Sequence, residues 1–395
     1  MTEEAEPTME SISRREFLRL GAGVAAGALA AGPLSQLVAQ GALAAARHSA
    51  SPFATGEAIA LSTLEAGAKK EGTLNTIALP LNWANYGAII AAFEKKYGTK
   101  INNIAPNDSS GQEIQAVVAD KSNAALEPDG VDVGPSFAAQ GKAQHLFAPY
   151  KNSHWDTIPA SLKDPQGYWV GDYYGVIAFG ANMAVVKTMP KAWADLLRPE
   201  YKGQVSINGD PRSAQDAFMA VWAAALANGG SLENIEPGIA FFAELKKRGN
   251  FVPVANTQAT ISRGTTPIAI MWDYLLLGYK DAFKGSPPFE VALPASGVIG
   301  GYYCQAIPKD SFHPYAARLW QEFLYSDEGQ LLWLQGYAHP ARYDDLARRG
   351  VIPASMAKKL PPASGYAKAV FPTVAQSNKA AAVVAAQWGP KVAGA

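Results

Sequence analysis

Residues 190–215, PKAWADLLRPEYKGQVSINGDPRSAQ, set the local grammar of the chain. Trp193, Leu196 and Leu197 share one face of a short amphipathic turn of helix. Pro199 ends that turn, because a proline restricts the residue before it and has no N–H to continue the ladder. Gly203 supplies a tight turn, and residues 204–208 alternate as a strand does. Asp210-Pro211 breaks the strand, and Ser213 opens a long apolar helix, 214–227, that stops at Asn228-Gly229-Gly230. Helix, strand, loop and helix in that order form an α/β unit. Its loop, carrying Arg212 and Ser213, offers exposed amide donors at the strand's carboxyl end, where open α/β sheets hold their ligands.

The same grammar extends outward. Residues 73–79 and 100–105 read as strands, separated by an apolar-periodic helix, 89–97, that ends at Gly98. Asn82, Trp83 and Tyr86 follow the first of these strands. In 107–113, NDSSGQE, Ser109 or Ser110 caps the next helix, and a helix start of that kind leaves unpaired N–H groups that favour an anion. Residues 130–134, GVDVG, form a short strand. Residues 169–179, WVGDYYGVIAF, and 302–308, YYCQAIP, read as long crossing strands, with Tyr302 at the head of the second. A further strand, 268–271, delivers Trp272 and Asp273 to its end, and another spans 289–294. Arg212 suits a bidentate contact to a carboxylate or phosphonate. Asp273 beside Trp272 suits a cation held by charge and ring quadrupole.

The pattern P-x-x-W-x-D-L-L-x-P-x-Y-K-G-x-V-x-I-x-x-D-P in the opening stretch resembles the second lobe of type II periplasmic solute-binding proteins of ABC importers. A second match lies in 314–330, PYAARLWQEFLYSDEGQ, with Gly336 to Arg342 after it. The resemblance spans roughly residues 70 to 345, and its nearest group includes the iron(III), polyamine and aminoethylphosphonate binders. It implies an α/β, two-lobed fold, each lobe a mixed sheet flanked by helices. Lobe one is expected near 71–178 plus 299–395, lobe two near 179–298, with a ligand cleft between them. The Ala/Pro-rich tail from Lys358 carries a short helix expected to pack on the first lobe.

The resemblance implies that Asn82, Trp83, Tyr86, Ser109, Ser110, Arg212, Ser213, Trp272, Asp273 and Tyr302 face the cleft. Together they suit a small charged organic solute, either polyamine-like or a phosphonate or zwitterion. The partners it implies are the permease subunits of an ABC importer, for a protein acting as a monomer. An iron(III)-binding member of the same fold is the metal alternative. It is disfavoured because Tyr173-Tyr174 and Tyr302-Tyr303 lie on crossing strands, where one ring of each pair must turn away. No metal or cofactor is therefore expected.

Composition agrees with an exported globular protein. It is 48% hydrophobic and 17% charged, and the 34 basic and 34 acidic residues cancel, so nothing suggests a nucleic-acid footprint. Cys304 stands alone, which excludes an internal disulfide and a CxxC site. The five histidines show no metal-ligand spacing, and no G-x-S-x-G elbow or phosphate-binding Walker loop occurs. A twin-arginine-exported hydrolase remains the contrasting enzyme reading. Ser13-Arg14-Arg15-Glu16-Phe17-Leu18-Arg19 is a twin-arginine pattern, followed by an apolar run from Leu20 to Leu34 and a small-residue cleavage zone at 43–46. Pro33 and the run's length argue against a membrane helix. Residues 1–46 are thus read as a leader for the twin-arginine export machinery, and the mature protein as periplasmic. Without its three arginines and five glutamates the chain keeps 31 basic and 29 acidic residues, about +2.

Overall fold

The computed structural model describes residues 53, 56, 59–119, 123–360, 366 and 368–394. The expected leader lies outside them. Among the described residues no helix is long and apolar enough to cross a membrane.

Helix α1 (Leu61–Glu71) leads into β1 (Thr73–Ile77), α2 (Tyr86–Tyr97) and β2 (Lys100–Ile104). Strand β2 runs parallel beside β1, from Thr73 opposite Lys100 to Ile77 opposite Ile104. Parallel neighbours need a crossover, and α2 provides it. Gly98, at φ +72°, stops α2 in the left-handed conformation that glycine adopts without strain. Helix α3 (Ser110–Ala119) then leads to β3 (Val131–Val133), α4 (Pro135–Ala143) and β4 (Phe147–Ala148). Gly130, just before β3, bridges Thr76 in parallel and ties that strand to β1.

Strand β5 (Val170–Asn182) is the long crossing. The second half of the molecule follows as β6 (Val205–Ile207), α5 (Gln215–Ala227), α6 (Glu236–Arg248), α7 (Gln258–Ser262), β7 (Ile268–Trp272), α8 (Asp273–Phe283) and β8 (Phe289–Ala292). Strand β9 (Gly300–Pro308) returns. It is followed by α9 (Pro314–Tyr325), α10 (Asp327–Gln335), β10 (His339–Pro340), α11 (Tyr343–Arg348), α12 (Ala354–Ala357) and α13 (Val374–Trp388).

The strand order β3-β9-β5-β7-β6 shows how two lobes share two strands. From Val170 to Val176, β5 pairs antiparallel with β9, and β9 pairs with β3. From Ile177 to Ala181 it pairs with β7, and from Phe179 to Asn182 with β8. The partner therefore changes between Val176 and Ile177, and β7 carries β6 in parallel on its far side. Every residue of β7 is buried, as expected of a strand covered on both faces. Helix α5, QDAFMAVWAAALA, is apolar nearly all round and buried from Gln215 to Ala225.

In the first lobe, α9 lies on α1. Glu71 closes the α9 start by accepting the Tyr315 and Ala316 amides at 3.2 and 2.8 Å. The free Cys304 is buried with Val131, Val133 and Phe147 in a small first-lobe core. The tail helix packs on the first lobe as expected, and on the second as well. Helix α13 packs on α4 of the first lobe and also on α6 of the second. Trp388 sits edge-on to Phe242 and Phe251, at 5.6 and 6.3 Å between ring centres. An Ala-rich helix finds too little apolar surface on one lobe alone, and the aromatic residue at its end finds a pocket on the other.

Candidate functional site

A cleft of about 510 Å³ lies where the strands of both lobes end. The first lobe lines it with 78–83 after β1, with the loop and first turn of α3, and with Asp132 of β3. The second lobe brings 208–210 and 213–216 after β6, residues 255–258, and Tyr279 of α8. Tyr303 of β9 belongs to the crossing. The lobes touch at the rim of this cleft. The Gly111 amide donates to the Ser213 carbonyl at 3.2 Å, and the Gln215 side chain lies against Gly134. A Cβ on Gly134 would stand 2.5 Å from Gln215 Oε1, so a glycine is what lets the lobes meet there.

The floor is aromatic. Trp83 Nε1 donates to the Tyr173 hydroxyl at 2.8 Å. Its ring stands edge-on to Tyr303 at 5.7 Å. Tyr303 stacks on Tyr173, and its hydroxyl takes a long contact from Trp272 Nε1 at 3.4 Å. These rings brace one another, so the floor is preorganised.

The walls are acidic. Asp108, Glu113, Asp132, Asp210 and Asp216 line the cleft, and among the described residues no Lys, Arg or His does. Asp132 accepts the Tyr86 and Tyr173 hydroxyls at 2.7 and 3.0 Å. Burial raises its carboxyl to about 6 against the pull of those donors. Asp172, behind it, accepts the Gln305 side-chain amide at 2.9 Å, and burial together with the Asp132 charge pushes its carboxyl well up. Glu113 accepts the Asp132 amide at 2.9 Å, and burial together with the Asp132 charge drives its carboxyl well up.

Asp216, in the first turn of α5, has one oxygen on Asn208 Nδ2 at 3.0 Å. Its other oxygen, Oδ1, is buried without a hydrogen-bond partner among the described residues. Burial pushes this carboxyl up to about 8, although the Asn208 amide and the Trp272 backbone pull it down. Gln215 Oε1 is likewise buried and unpartnered. Acceptors of this kind are costly to leave bare. They are the groups that a solute's donors would satisfy.

Of the residues expected at the cleft, the structure gathers Asn82, Trp83, Ser109, Ser110 and Ser213 around it. Ser110 Oγ also accepts the Gly134 amide at 3.2 Å, joining α3 to the end of β3. The other five stand elsewhere. Tyr86 is fully buried behind the wall and orients Asp132. Arg212 folds back on Asp210, with Nε 3.0 Å from Oδ1 and Nη2 2.6 Å from Oδ2, so its bidentate fork is already filled. Trp272 is fully buried under the floor. Asp273 is spent in the core, where it accepts the Val176 amide at 3.0 Å and the Tyr366 hydroxyl. Tyr302 turns away from the cleft and reaches the Ser161 carbonyl at 3.4 Å. Alternation along β9 then delivers Tyr303 instead. Sequence reasoning missed Glu113, Asp132, Asp216 and Tyr303. The available signal was an isolated acid inside an apolar strand (Asp132) and inside an apolar helix (Asp216).

Comparison with known proteins agrees with this architecture. The family model described as "Bacterial extracellular solute-binding protein" matches residues 130–376. An uncharacterised protein of Haemophilus influenzae is 29% identical over 265 residues, covering 62% of this chain and 71% of that one. Among solved structures, the periplasmic binding protein AfuA of Actinobacillus pleuropneumoniae, with fructose-6-phosphate bound, is 20% identical. It superposes with a TM-score of 0.64 over 82% of this chain and 100% of its own. A putative spermidine/putrescine ABC transporter protein of Listeria monocytogenes is 12% identical, with a TM-score of 0.61 over 80% and 98%. Iron-bound HitA of Pseudomonas aeruginosa is 21% identical, with a TM-score of 0.59 over 80% and 99%. At these identities the solved structures show the fold: two lobes around a cleft.

Proposed function

The chain belongs to the family of bacterial extracellular solute-binding proteins, and from that premise we propose that its cleft captures a small amine-bearing cation, polyamine-like in character, for delivery to an ABC importer. One observation carries the choice of ligand. Every ionisable side chain with an ordinary charge at neutral pH that lines the cleft is a carboxyl, and the floor beneath is Trp83 and Tyr303. An ammonium gains from both, through charge and through the ring quadrupole. A phosphonate or the acid end of a zwitterion would look to Arg212, and that guanidinium is held by Asp210. Capture between lobes needs no covalent chemistry, in keeping with a family of binding proteins.

Mass spectrometry of the solute released on denaturing the purified protein tests this reading. A thermal-shift screen with putrescine, spermidine, 2-aminoethylphosphonate and ferric citrate accompanies it. Amines are expected to raise Tm without being consumed, by about 2.7 kcal/mol of stabilisation at a hundredfold excess over Kd. Stabilisation by phosphonate or iron alone overturns the amine reading, and turnover of the stabilising compound favours an enzyme.

The export route is proposed from Arg14 and Arg15. Changing both to Lys is expected to strand the precursor in the cytoplasm, as read by fractionation. Unchanged periplasmic yield would show another route.

A further inference from the structure

We propose that Asp216 is the residue that reads the solute's positive charge, and that it releases a proton to do so, with Glu113 on the facing lobe as the second acid. The inference rests on the amine reading of the cleft and deepens it. Asp216 lines the cleft from the first turn of α5, and its Oδ1 has no hydrogen-bond partner among the described residues. Glu113 lines it from the first turn of α3, on the other lobe. Both side chains are almost wholly excluded from solvent. Both line the same cleft as Tyr303 of the crossing strand, so the two acids stand around one floor.

Among the described residues, no basic side chain lines the cleft beside either group. Asp216 is faced by Asn208 at the end of β6, by the Trp272 backbone of β7, by Tyr274 and Tyr279 of α8, and by Tyr303 of β9. Glu113 is faced by Asp132 and by Asp108. Arg212, the nearest basic residue in sequence, is engaged by Asp210.

A carboxyl in such a place stays protonated in the empty cleft because burial penalises its charged form. Burial accordingly carries Asp216 up to about 8. An entering ammonium reverses that penalty. The carboxyl O–H bond breaks and its proton passes to the buffer. The freed oxygen then accepts one ammonium N–H, whose bond stays intact. Capture is therefore tied to pH. Below the pH at which the empty carboxyl titrates, each proton that must leave weakens binding about tenfold per pH unit.

Calorimetry with putrescine, kept below pH 9 so that its amines remain charged, decides the matter. Titrations at pH 7 in phosphate and in Tris, whose ionisation heats differ, count the protons released. We expect about one proton or more, and affinity that climbs from pH 6 and levels near pH 8. Asp216→Asn should bind at least tenfold more weakly at pH 8 and lose most of the pH dependence. Glu113→Gln should lower the proton count if the two acids share the load. Equal heats in the two buffers, with wild-type affinity independent of pH, overturn the inference and leave the amine reading standing. A protein that binds no amine at any pH overturns both. The wild-type proton count decides even if a variant fails to fold.

Discussion

Asp216 shows how one residue can oppose stability and serve the site. Its native carboxyl holds a proton up to about pH 8, whereas an unfolded aspartate releases it near 4. The folded state therefore binds more protons than the unfolded state between those values. The stability linked to this group is complete below about pH 4 and is lost as pH rises toward 8. Asparagine keeps the shape and removes the titration. The ligand-free Asp216→Asn protein is thus expected to match wild type near pH 4 and to melt higher at pH 9, by roughly 5 °C. Melting curves across pH 4–9 check this, and a gap that does not grow with pH would mean Asp216 is ionised without penalty. The residue was hard to find by reading. An acid in the first turn of a helix is ordinarily explained by the dipole, and only the surrounding fold reveals that Asp216 is buried and bare. Arg212 misled in the opposite way. It stands on the right loop, but its neighbour Asp210 two positions earlier satisfies it first.

At the scale of elements, the crossing strands do most of the positioning. Their alternation was legible, and so were the strands at 100–105, 130–134 and 268–271, because apolar period and turn residues agree there. What the period left open was which of two adjacent tyrosines faces the cleft. On β9 the phase is fixed by pairing, with Gly301 opposite Gly175 and Tyr302 opposite Tyr174. Gly301 matters for a second reason. A Cβ there would stand 2.5 Å from Trp272 Cη2 and 3.1 Å from Met219 Cε. Trp272 is fully buried and cannot swing aside, and it donates to Tyr303. Gly301→Ala is expected to cost about 1–3 kcal/mol of stability by overpacking. Because it shifts Tyr303, it should also weaken solute binding by several-fold. Denaturant melts and a binding titration read the two effects separately. Wild-type behaviour in both would show that the floor can repack around a methyl group.

For the whole molecule, the question is what couples the lobes. Strands β5 and β9 cross between them, and the tail makes a further connection. Tyr366 donates to Asp273, Val370 bridges to Ile299 just before β9, and Phe371 fills the space above Gly300. Thr373 then caps α13 by accepting the Gln376 amide, and the helix runs from α4 to α6. Lys379 and Gln376 reach Glu233 on the second lobe at 3.1 and 2.9 Å, exposed contacts that add little energy. Trp388 carries more, since truncating a buried aromatic side chain of this kind costs about 3–5 kcal/mol. A helix seated on both lobes favours the arrangement in which both seats are filled, here the one with Gly111 touching Ser213. Removing residues 373–395 is therefore expected to lower the populated fraction of that arrangement. Apparent affinity falls in proportion to that fraction. Scattering should report a larger ligand-free radius of gyration, and calorimetry a weaker Kd for the solute identified by mass spectrometry. Trp388→Ala should move both in the same direction by less. If the truncated protein folds, keeps the wild-type radius and binds with wild-type affinity, then α13 is cladding, and the two crossing strands alone set how the lobes meet.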